Sequence, residues 1–501
     1  MRILRRIIAF IIGTISSLLL LHDSLVAADN GSAQSAEAHP AMILPFVLLL
    51  LAIAVMPFVN RHWWERYYPH ISVALAIVTT AYYVFALSNP FRMLHSGIEF
   101  VSFICLIGSL YIVAGGIHIT IGGFASPIKN TVILLAGAVL SNFVGTTGAS
   151  MVLIRPYLRN NRHRLHAYHI VFFIFIVSNI GGALTPIGDP PLFLGYLRGI
   201  PFFWIFENVW GIWALALAVI LGVFIGVDVY YYRLLAKRVR EHDEHVPDTV
   251  KFEGMHNLIF LGMILLAVFI QNPPYLREAI MILASAGSYF TTRKHIHASN
   301  NFNFHPIKEV GFLFLGLFAT MVPALDWLEG HAGLIGVNLP GQFYWGTGIL
   351  SSFLDNAPTY LNFLSAAIGL FVGPDVIGQI QSLLSAGMHA SLGTLPDDVM
   401  RTGALIRQYH GDLVAAGRVP VHVIQSSYLL AVHPIYVKSI SIAAVFFGAM
   451  TYIGNAPNFM VKSIAEHRGV RMPSFFGYMG MFSIPILLPI FTLVWYLFFR
   501  T

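Results

Sequence analysis

Two nine-residue stretches decide how this chain folds: TPIGDPPLF at 185–193 and TYIGNAPNF at 451–459, which agree at five of nine positions. Upstream of each lies a second matching pair, LSNF at 140–143 and LSSF at 350–353. Ser141 and Thr185 are 44 residues apart, whereas Ser351 and Thr451 are 100 apart. Two pairs in the same order indicate an internal repeat whose second copy carries an insertion.

Composition places the repeat in a membrane. The chain has 501 residues, 57% of them hydrophobic and 10% charged, with a mean hydropathy of +0.72. A soluble surface needs far more charge, about 25%, so we predict an all-α polytopic membrane protein. Soluble enzymes, secreted disulfide scaffolds and disordered proteins are excluded. The net charge of +6 is interpreted as basic cytoplasmic loops rather than a nucleic-acid surface.

Apolar runs predict ten spans, at 41–59, 71–87, 98–120, 170–184, 210–230, 256–270, 279–290, 310–325, 442–453 and 475–499. Basic loops set their orientation. Lys129 precedes the interrupted segment 131–154, and a basic cluster at 155–164 follows it. We therefore predict that this segment is a hairpin from the cytoplasmic side. The same reasoning makes 343–372 a hairpin from the periplasmic side, in an inverted repeat.

The first residues read as a targeting segment. Arg2, Arg5 and Arg6 precede an apolar stretch, and Val26, Ala27 and Ala28 resemble a cleavage site. We predict a signal peptide at 1–28, with an uncleaved first helix as the alternative, and a bacterial inner-membrane location. A periplasmic polar segment at 29–40 follows. We also predict a first transmembrane half at 41–230, a cytoplasmic loop at 231–255 and a second transmembrane half at 256–501. The second half contains a periplasmic insertion at 373–421.

Two residues predict a break in each repeated helix: Gly188 and Pro191 in the first copy, Gly454 and Pro457 in the second. Unwound backbone cannot face lipid, because its N–H and C=O groups would lack partners. It is tolerated where it lines a cavity. Broken helices in inverted repeats are typical of secondary transporters, whose sites lie between the repeats.

Carboxylates are the first candidates for the site. Asp189 adjoins the first break, and Asp355 lies in the second hairpin beside Asn356 and Thr359. A carboxylate at membrane depth binds a cation, pairs or takes up a proton, and oxygen ligands suit Na⁺ as they suit other hard ions. We expect Na⁺ at Asp189 and Asp355. The alternative for both is capping of a helix start.

Neutral polar residues complete the predicted site. They are Asn142, Thr146 and Thr147 in the first hairpin, Asn179 and Thr185 before the first break, and Thr451, Asn455 and Asn458 at the second. These side chains offer groups for Na⁺ or for a carboxylate substrate. Their alternative is internal hydrogen bonding and helix packing. His163, His166 and His169 adjoin a basic loop and are expected to be solvated.

At these residues the chain resembles the ion transporter superfamily, which includes D-type sodium/proton antiporters, arsenite pump subunits and citrate transporters. SNIGGALTPIGDPP at 178–191 and SSFLDNAPT at 351–359 are similar to signatures of the antiporter and arsenite branch. The region 451–475 is similar to a subgroup labelled for citrate transport or sodium:proton antiport. The resemblance implies a hairpin-containing transport fold and a homodimer. The first hairpin lacks the Asp-Asn pair often seen there, having Val144 and Gly145.

Sodium/proton antiport by alternating access is the leading functional prediction. Ion and proton would compete for the same carboxylates, with no ATP and no cofactor beyond the transported Na⁺ and H⁺. Import of citrate or another carboxylate, coupled to Na⁺ or H⁺, is the alternative, and arsenite efflux is a third. A channel or membrane enzyme is a remote option, because no nucleophile–base pair or metal set is recognisable.

Overall fold

The computed structural model describes residues 38–121, 125–234, 249–270, 275–334, 336–385, 395–417 and 419–500. The predicted signal peptide at 1–28 lies outside the described residues. So do most of the polar segment 29–40, residues 235–248 of the predicted cytoplasmic loop, and residues 386–394 and 418 of the predicted insertion.

Helices dominate the first half of the described chain. In order they are α1 (Leu44–Val59), α2 (Arg61–Ala81), α3 (Pro90–Gly115), strand β1 (His118–Ile121), α4 (Pro127–Asn160), α5 (Ala167–Ile176), α6 (Pro190–Leu197), α7 (Phe202–Arg233) and strand β2 (Val250–Glu253). Proline at the first turn marks several starts, because its missing N–H would be unpaired there anyway. At α4, the Ser126 hydroxyl also accepts the Lys129 N–H at 3.2 Å.

The second half continues in the same way. Its helices are α8 (Asn257–Ala267), α9 (Leu276–Thr291), α10 (Lys294–Ser299), α11 (His305–Thr320), α12 (Val322–His331), α13 (Pro340–Phe353), α14 (Asn356–Phe371), α15 (Pro374–Ser385), α16 (Asp397–Tyr409), α17 (Gly411–Ala415), α18 (Val421–Val432), α19 (Pro434–Phe447), α20 (Ala456–His467), α21 (Phe475–Tyr478) and α22 (Leu488–Phe498).

The predicted class, an all-α polytopic membrane protein, is confirmed. Seven helices of the described part are long and apolar enough to cross a membrane, or nine if each of two bent helix pairs forms one span. The number and bounds of the spans differ from the sequence expectation of ten: the predicted spans 170–184 and 256–270 fall on the shorter apolar helices Ala167–Gly182 and Asn257–Ala267. The predicted span 98–120 instead runs from Pro90 to Gly115, and Thr120 lies in β1, which pairs with β2 in a two-stranded sheet.

Helix α4 is two arms folded against each other, with the turn at Gly145. That residue has φ 76° and ψ 156°, a backbone conformation that glycine adopts without steric strain. At the open end, the side-chain amides of Asn130 and Asn161 exchange two hydrogen bonds of 2.8 Å. A straight helix would separate these residues by about 46 Å. The arms therefore form a hairpin, which contains the predicted segment 131–154.

Helices α13 and α14 form a second hairpin, which turns at residues 354–355. Its arms lie side by side, since the rings of Phe343 and Phe363 are 6.1 Å apart. The added Cβ of an alanine at Gly346 would touch Phe363 at 3.0 Å, so the glycine permits this close approach. The predicted segment 343–372 begins inside α13 and ends one residue beyond α14. The membrane side from which either hairpin enters stays a prediction.

The chain divides into two compact units, each built from both predicted halves. The first holds the described residues of Met1–Phe46 together with Arg66–His118 and Glu253–Pro323. In it the Phe103 ring stacks on Phe314 at 4.6 Å, and the Asn300 amide donates to the carbonyls of Gly115 and Ile117 at the end of α3. The second unit holds Val47–Glu65, Ile119–Phe252 and Ala324–Thr501, and with them every predicted site residue.

The described part of the predicted insertion 373–421 forms α15, α16 and α17. It attaches to the loop that follows α6. The imidazole Nε2 of His410 lies 3.1 Å from the Gly199 carbonyl oxygen. Beyond the insertion, the Ser426 hydroxyl donates to the carbonyl of Arg198 at 2.6 Å. These bonds tie a segment of the second copy of the repeat to the broken helix of the first.

A buried ion pair secures the open end of the first hairpin. Asp228 on α7 is fully buried and pairs with the equally inaccessible Arg164 guanidinium. The carboxylate also accepts hydrogen bonds from Tyr168 at 2.6 Å and from Asn130 at 3.0 Å. His169 Nε2 lies 3.2 Å from the carboxylate, and the His169 side chain is 0% exposed. The expectation that this histidine is solvated is therefore wrong, whereas His163 and His166 are exposed.

Replacement of Asp228 by asparagine should destabilise the fold by about 3 kcal/mol, because Arg164 would remain buried without a counter-charge. Thermal unfolding of the purified full-length protein in detergent measures this. The double variant Asp228→Asn/Arg164→Gln removes both charges and should recover part of the loss. Equal melting temperatures for the wild type and Asp228→Asn would contradict the ion-pair account.

Candidate functional site

Two helices of the second unit are interrupted in the same way. After α5, a 3₁₀ turn at Ile180–Gly182 leads into unwound chain that ends where α6 begins. After α19, a 3₁₀ turn at Gly448–Met450 leads to α20. A Cβ added at Gly188 would lie 2.1 Å from the carbonyl oxygen of Gly182, and one at Gly454 would lie 2.7 Å from that of Gly448. Each break therefore needs glycine, because backbone packs against backbone.

Equivalent hydrogen bonds tie each break to its hairpin. The Thr185 hydroxyl donates to the carbonyl of Asn142 at 2.7 Å, and the Thr451 hydroxyl donates to the carbonyl of Ser352. In each copy the threonine oxygen also accepts an N–H three residues later, from Gly188 or Gly454, at 3.1 Å. The matched sequence pairs thus share local structure. Their opposite orientation in the membrane stays a prediction.

Asp189 lies where the breaks and both hairpins meet, and its side chain is 1% exposed. One carboxylate oxygen, Oδ1, accepts from the Thr146 hydroxyl at 2.8 Å and from the Asn455 amide at 3.0 Å. The other, Oδ2, accepts from the Asn356 amide at 2.9 Å. Thr146 follows Gly145 at the turn of the first hairpin, and Asn356 is the first residue of α14 after the second turn. Asn455 is the residue that matches Asp189 in the repeat.

All three donors to Asp189 are neutral. Within the described ranges, no lysine, arginine or histidine forms an ion pair with it. An ionised carboxylate removed from water is unfavourable unless a positive charge compensates it, and hydrogen bonds to neutral groups do so only in part. Asp189 is therefore suited to hold either a proton or a cation. Asp228 differs, because the Arg164 guanidinium already compensates its negative charge.

The alternative prediction, that the carboxylate caps the start of a helix, holds for Asp355 and not for Asp189. Asp355 is half-buried and accepts the Ala357 N–H at 3.1 Å, so it caps α14. Thr359 donates to the Asp355 backbone carbonyl at 3.0 Å. Asp189 occupies the corresponding position before α6, but its side chain makes no capping bond there. Pro190 and Pro191 lack N–H groups, which leaves the Asp189 carboxylate for the interior.

Two further predicted residues of the first hairpin, Asn142 and Thr147, form no hydrogen bond with Asp189 in the described part of the chain. The Asn142 amide donates to the Ala138 and Gly181 carbonyls and accepts the Leu184 N–H, so it fastens the hairpin to the break. Thr147 is half-buried, and its side chain makes no hydrogen bond to the described residues. The structure thus brings Thr146, and not its neighbour, to Asp189.

Asparagine side chains join the two interrupted helices. The Asn179 amide donates to Asn458 Oδ1 at 2.7 Å, and Asn179 Oδ1 accepts from Asn455 at 3.2 Å. Asn458 in turn donates to the carbonyls of Gly448 and Thr451. Ser351, which was not a predicted site residue, donates to Asn356 Oδ1 at 2.6 Å. The sequence feature that could have indicated Ser351 is the repeat itself, in which Ser351 of LSSF aligns with Ser141 of LSNF.

Substitution of Gly188 by alanine should prevent correct folding or abolish transport, because the new methyl group would meet the Gly182 backbone. Gly222→Ala is the matched control: Gly222 is exposed on α7, and nothing lies within 4 Å of its added Cβ. The control should leave stability unchanged or raise it by up to about 1 kcal/mol. Monodispersity and thermal unfolding of both purified variants measure the difference. A Gly188→Ala protein that behaves like the control would contradict the close approach.

Comparison with known proteins assigns the chain to a family. No curated protein matches the sequence. A family model described as "Putative citrate transport" matches residues 35–499, which is most of the chain and includes both hairpins, both breaks and Asp189. Together with the apolar helices, this match identifies a multi-pass membrane transporter. The chain belongs to the family with that description.

Proposed function

We propose that this transporter exchanges Na⁺ for H⁺, with Asp189 as the shared binding group. The observation that carries the proposal is a buried carboxylate with three neutral donors and no basic partner in the described residues. Such a group favours the uptake of one positive charge at a time. Because a proton and a cation cannot occupy the same carboxylate oxygen together, binding of one releases the other.

The surroundings of Asp189 support exchange between two faces. Its donors come from three separate elements, the two hairpins and the start of α20. A shift of any one element changes how the carboxylate is held. We assign Asp355 a positioning role, because its carboxylate caps α14 and so holds Asn356 at the start of that helix. We further propose that the protein acts as a homodimer in the bacterial inner membrane.

Citrate uptake coupled to Na⁺ or H⁺ is the second candidate, and the family description favours it. Citrate transport would require that the charge of Asp189 be neutralised first. Citrate is an anion, and no basic side chain of the described part pairs with Asp189, so this carboxylate would have to be neutralised before citrate binds nearby. A bound Na⁺ or proton, assisted by the N-terminus of α20, would supply that neutralisation. Both candidates therefore use Asp189 for the coupling ion.

Exchange can be tested in inside-out vesicles whose interior has been made acidic. Addition of Na⁺ should dissipate the pH gradient, followed with a fluorescent dye, in the wild type. Asp189→Asn should abolish the response, because asparagine cannot bind a proton in exchange for a cation. Asp375→Asn is the matched control, since Asp375 is exposed in the first turn of α15, and this variant should respond as the wild type does.

The same vesicles distinguish the second candidate. Li⁺, K⁺ and citrate are added separately, and uptake of labelled citrate is measured with and without Na⁺. Citrate uptake that needs Na⁺ or a proton gradient, without any cation-induced dissipation, would replace exchange by citrate transport. A full response to Na⁺ in Asp189→Asn would contradict both candidates as stated here.

Competition at one carboxylate also predicts a pH dependence. Lower pH favours the protonated form of Asp189, which cannot bind Na⁺. In the acid range the apparent KM for Na⁺ should therefore rise by about tenfold for each pH unit, the limit for a single shared site. Initial rates of dissipation at several Na⁺ concentrations and pH values measure this. A KM that does not change with pH would exclude a shared site.

A further inference from the structure

The Ser351 hydroxyl faces two oxygen atoms but has one proton to donate. Its Oγ lies 2.6 Å from Asn356 Oδ1 and 2.6 Å from the carbonyl oxygen of Ala444 on α19. A serine hydroxyl carries a single O–H donor and two acceptor lone pairs. It can serve only one of two oxygens this close at full strength. The other oxygen then faces a lone pair of Ser351.

Reversal of the Asn356 amide removes this conflict. The amide nitrogen would then donate to Ser351, whose proton would go to the Ala444 carbonyl. The nitrogen and oxygen of an asparagine amide are nearly the same size, so the reversal needs little extra space. It would, however, turn Asn356 Oδ1 towards Asp189 Oδ2. Two oxygens at that distance repel each other unless a proton or a cation lies between them.

The two orientations therefore match two states of Asp189. When Asp189 is ionised, the Asn356 nitrogen is the better neighbour, because it can donate a hydrogen bond in the orientation that the structure has. When Asp189 binds a proton or cation, the Asn356 oxygen is the better neighbour. The proton belongs on Oδ2, because Oδ1 already accepts from Thr146 and Asn455. It comes from the water on whichever side of the membrane the site faces.

We propose that Asn356 is a switch whose amide reverses when Asp189 becomes occupied, and that Ser351 transmits the reversal to Ala444 in the second interrupted helix. This inference rests on the proposed function, in which Asp189 alternates between an ionised and an occupied state. It adds the route by which occupancy reaches α19. The Ala444 carbonyl lies in the last turn of that helix. The N–H four residues later, that of Gly448, donates to the Phe446 carbonyl and not to Ala444.

Neighbouring groups restrict the reversal to Asn356. The nitrogen of Asn455 faces Ser178 O, Asn179 Oδ1 and Asp189 Oδ1, and a backbone carbonyl can only accept, so Asn455 remains a donor in both states. In the first hairpin, Ser141 faces the carbonyls of Gly137 and Val177. Backbone carbonyls cannot reverse, so that copy of the repeat lacks the switch.

Gly448 provides the space for the amide. A Cβ at this position would lie 2.6 Å from Asn356 Oδ1, 2.7 Å from its Nδ2 and 2.9 Å from Asn179 Oδ1. The Gly448 backbone has φ −54° and ψ −24°, which any residue adopts. The absence of a side chain, and not a special backbone conformation, is thus what this position requires.

Ser351→Ala tests the switch through the pH profile of exchange. The variant loses the acceptor that favours the reversed amide, so protons should bind Asp189 less tightly. The acid limb, which is the fall in the rate of Na⁺-driven dissipation at low pH, should move to lower pH by about one unit. This is a tenfold change in proton affinity, which is typical of one lost hydrogen bond. Ser352→Ala is the matched control, because the one hydrogen bond that the Ser352 hydroxyl donates among the described residues stays within its own helix, to Gly348 at 2.9 Å. Its acid limb should not move.

Infrared difference spectra of the full-length protein between acid and alkaline pH provide a direct readout. A protonated carboxyl band should appear in acid and be missing in Asp189→Asn. An asparagine carbonyl band, identified by ¹³C-asparagine and by its loss in Asn356→Ser, should shift along with it. This measurement uses the wild type, so the test does not depend on whether Ser351→Ala folds.

The outcomes separate the two proposals. If exchange and the carboxyl band depend on Asp189, but the asparagine band stays fixed and Ser351→Ala matches Ser352→Ala, the switch is overturned and the proposed function stands. If neither exchange nor the carboxyl band depends on Asp189, the proposed function fails and the switch fails with it. A coupled asparagine shift together with a displaced acid limb supports the switch.

Discussion

A buried carboxylate that has no positive partner among the described residues is the constraint on which the second unit depends. Asp189 is held by Thr146, Asn356 and Asn455, and each donor must be brought to it by a different element. This requires a tight turn in each hairpin and a break in each interrupted helix. The breaks in turn require Gly188 and Gly454, where backbone packs on backbone. Much of the local architecture thus follows from holding one charge away from water.

Two buried aspartates differ in how their charge is compensated. Asp228 and Asp189 are both almost inaccessible, and each accepts several hydrogen bonds. Asp228 has the Arg164 guanidinium beside it, so its charge is compensated permanently and the pair serves the fold. The donors to Asp189 in the described residues are all neutral, and we propose that a proton or cation from solution compensates its charge. The difference lies in the partners and not in the residue type or its depth.

The repeat is symmetric in its scaffold and asymmetric in its chemistry. Thr185 and Thr451 tie their breaks to the hairpins with equivalent hydrogen bonds. At the point where the copies meet, Asp189 is matched by Asn455, and Thr146 by Asn356. The matched pair of Asp189 and Asn455 therefore holds one carboxylate, and not two carboxylates that face each other. The asymmetry also leaves a reversible amide beside Asp189 on the side of the second hairpin alone.

The sequence by itself determined the membrane class, the positions of both hairpins and breaks, and the placing of Asp189 and Asp355 at helix starts. Hydropathy, glycine and proline report on each segment locally, so these features could be predicted. Only the tertiary structure decided which polar residues meet: Thr146 and not Thr147 contacts Asp189, Asp355 caps α14, and His169 is buried against Asp228. Asn356 and Asp189 are 167 residues apart, and a contact at such separation depends on how whole helices pack, which no local pattern records.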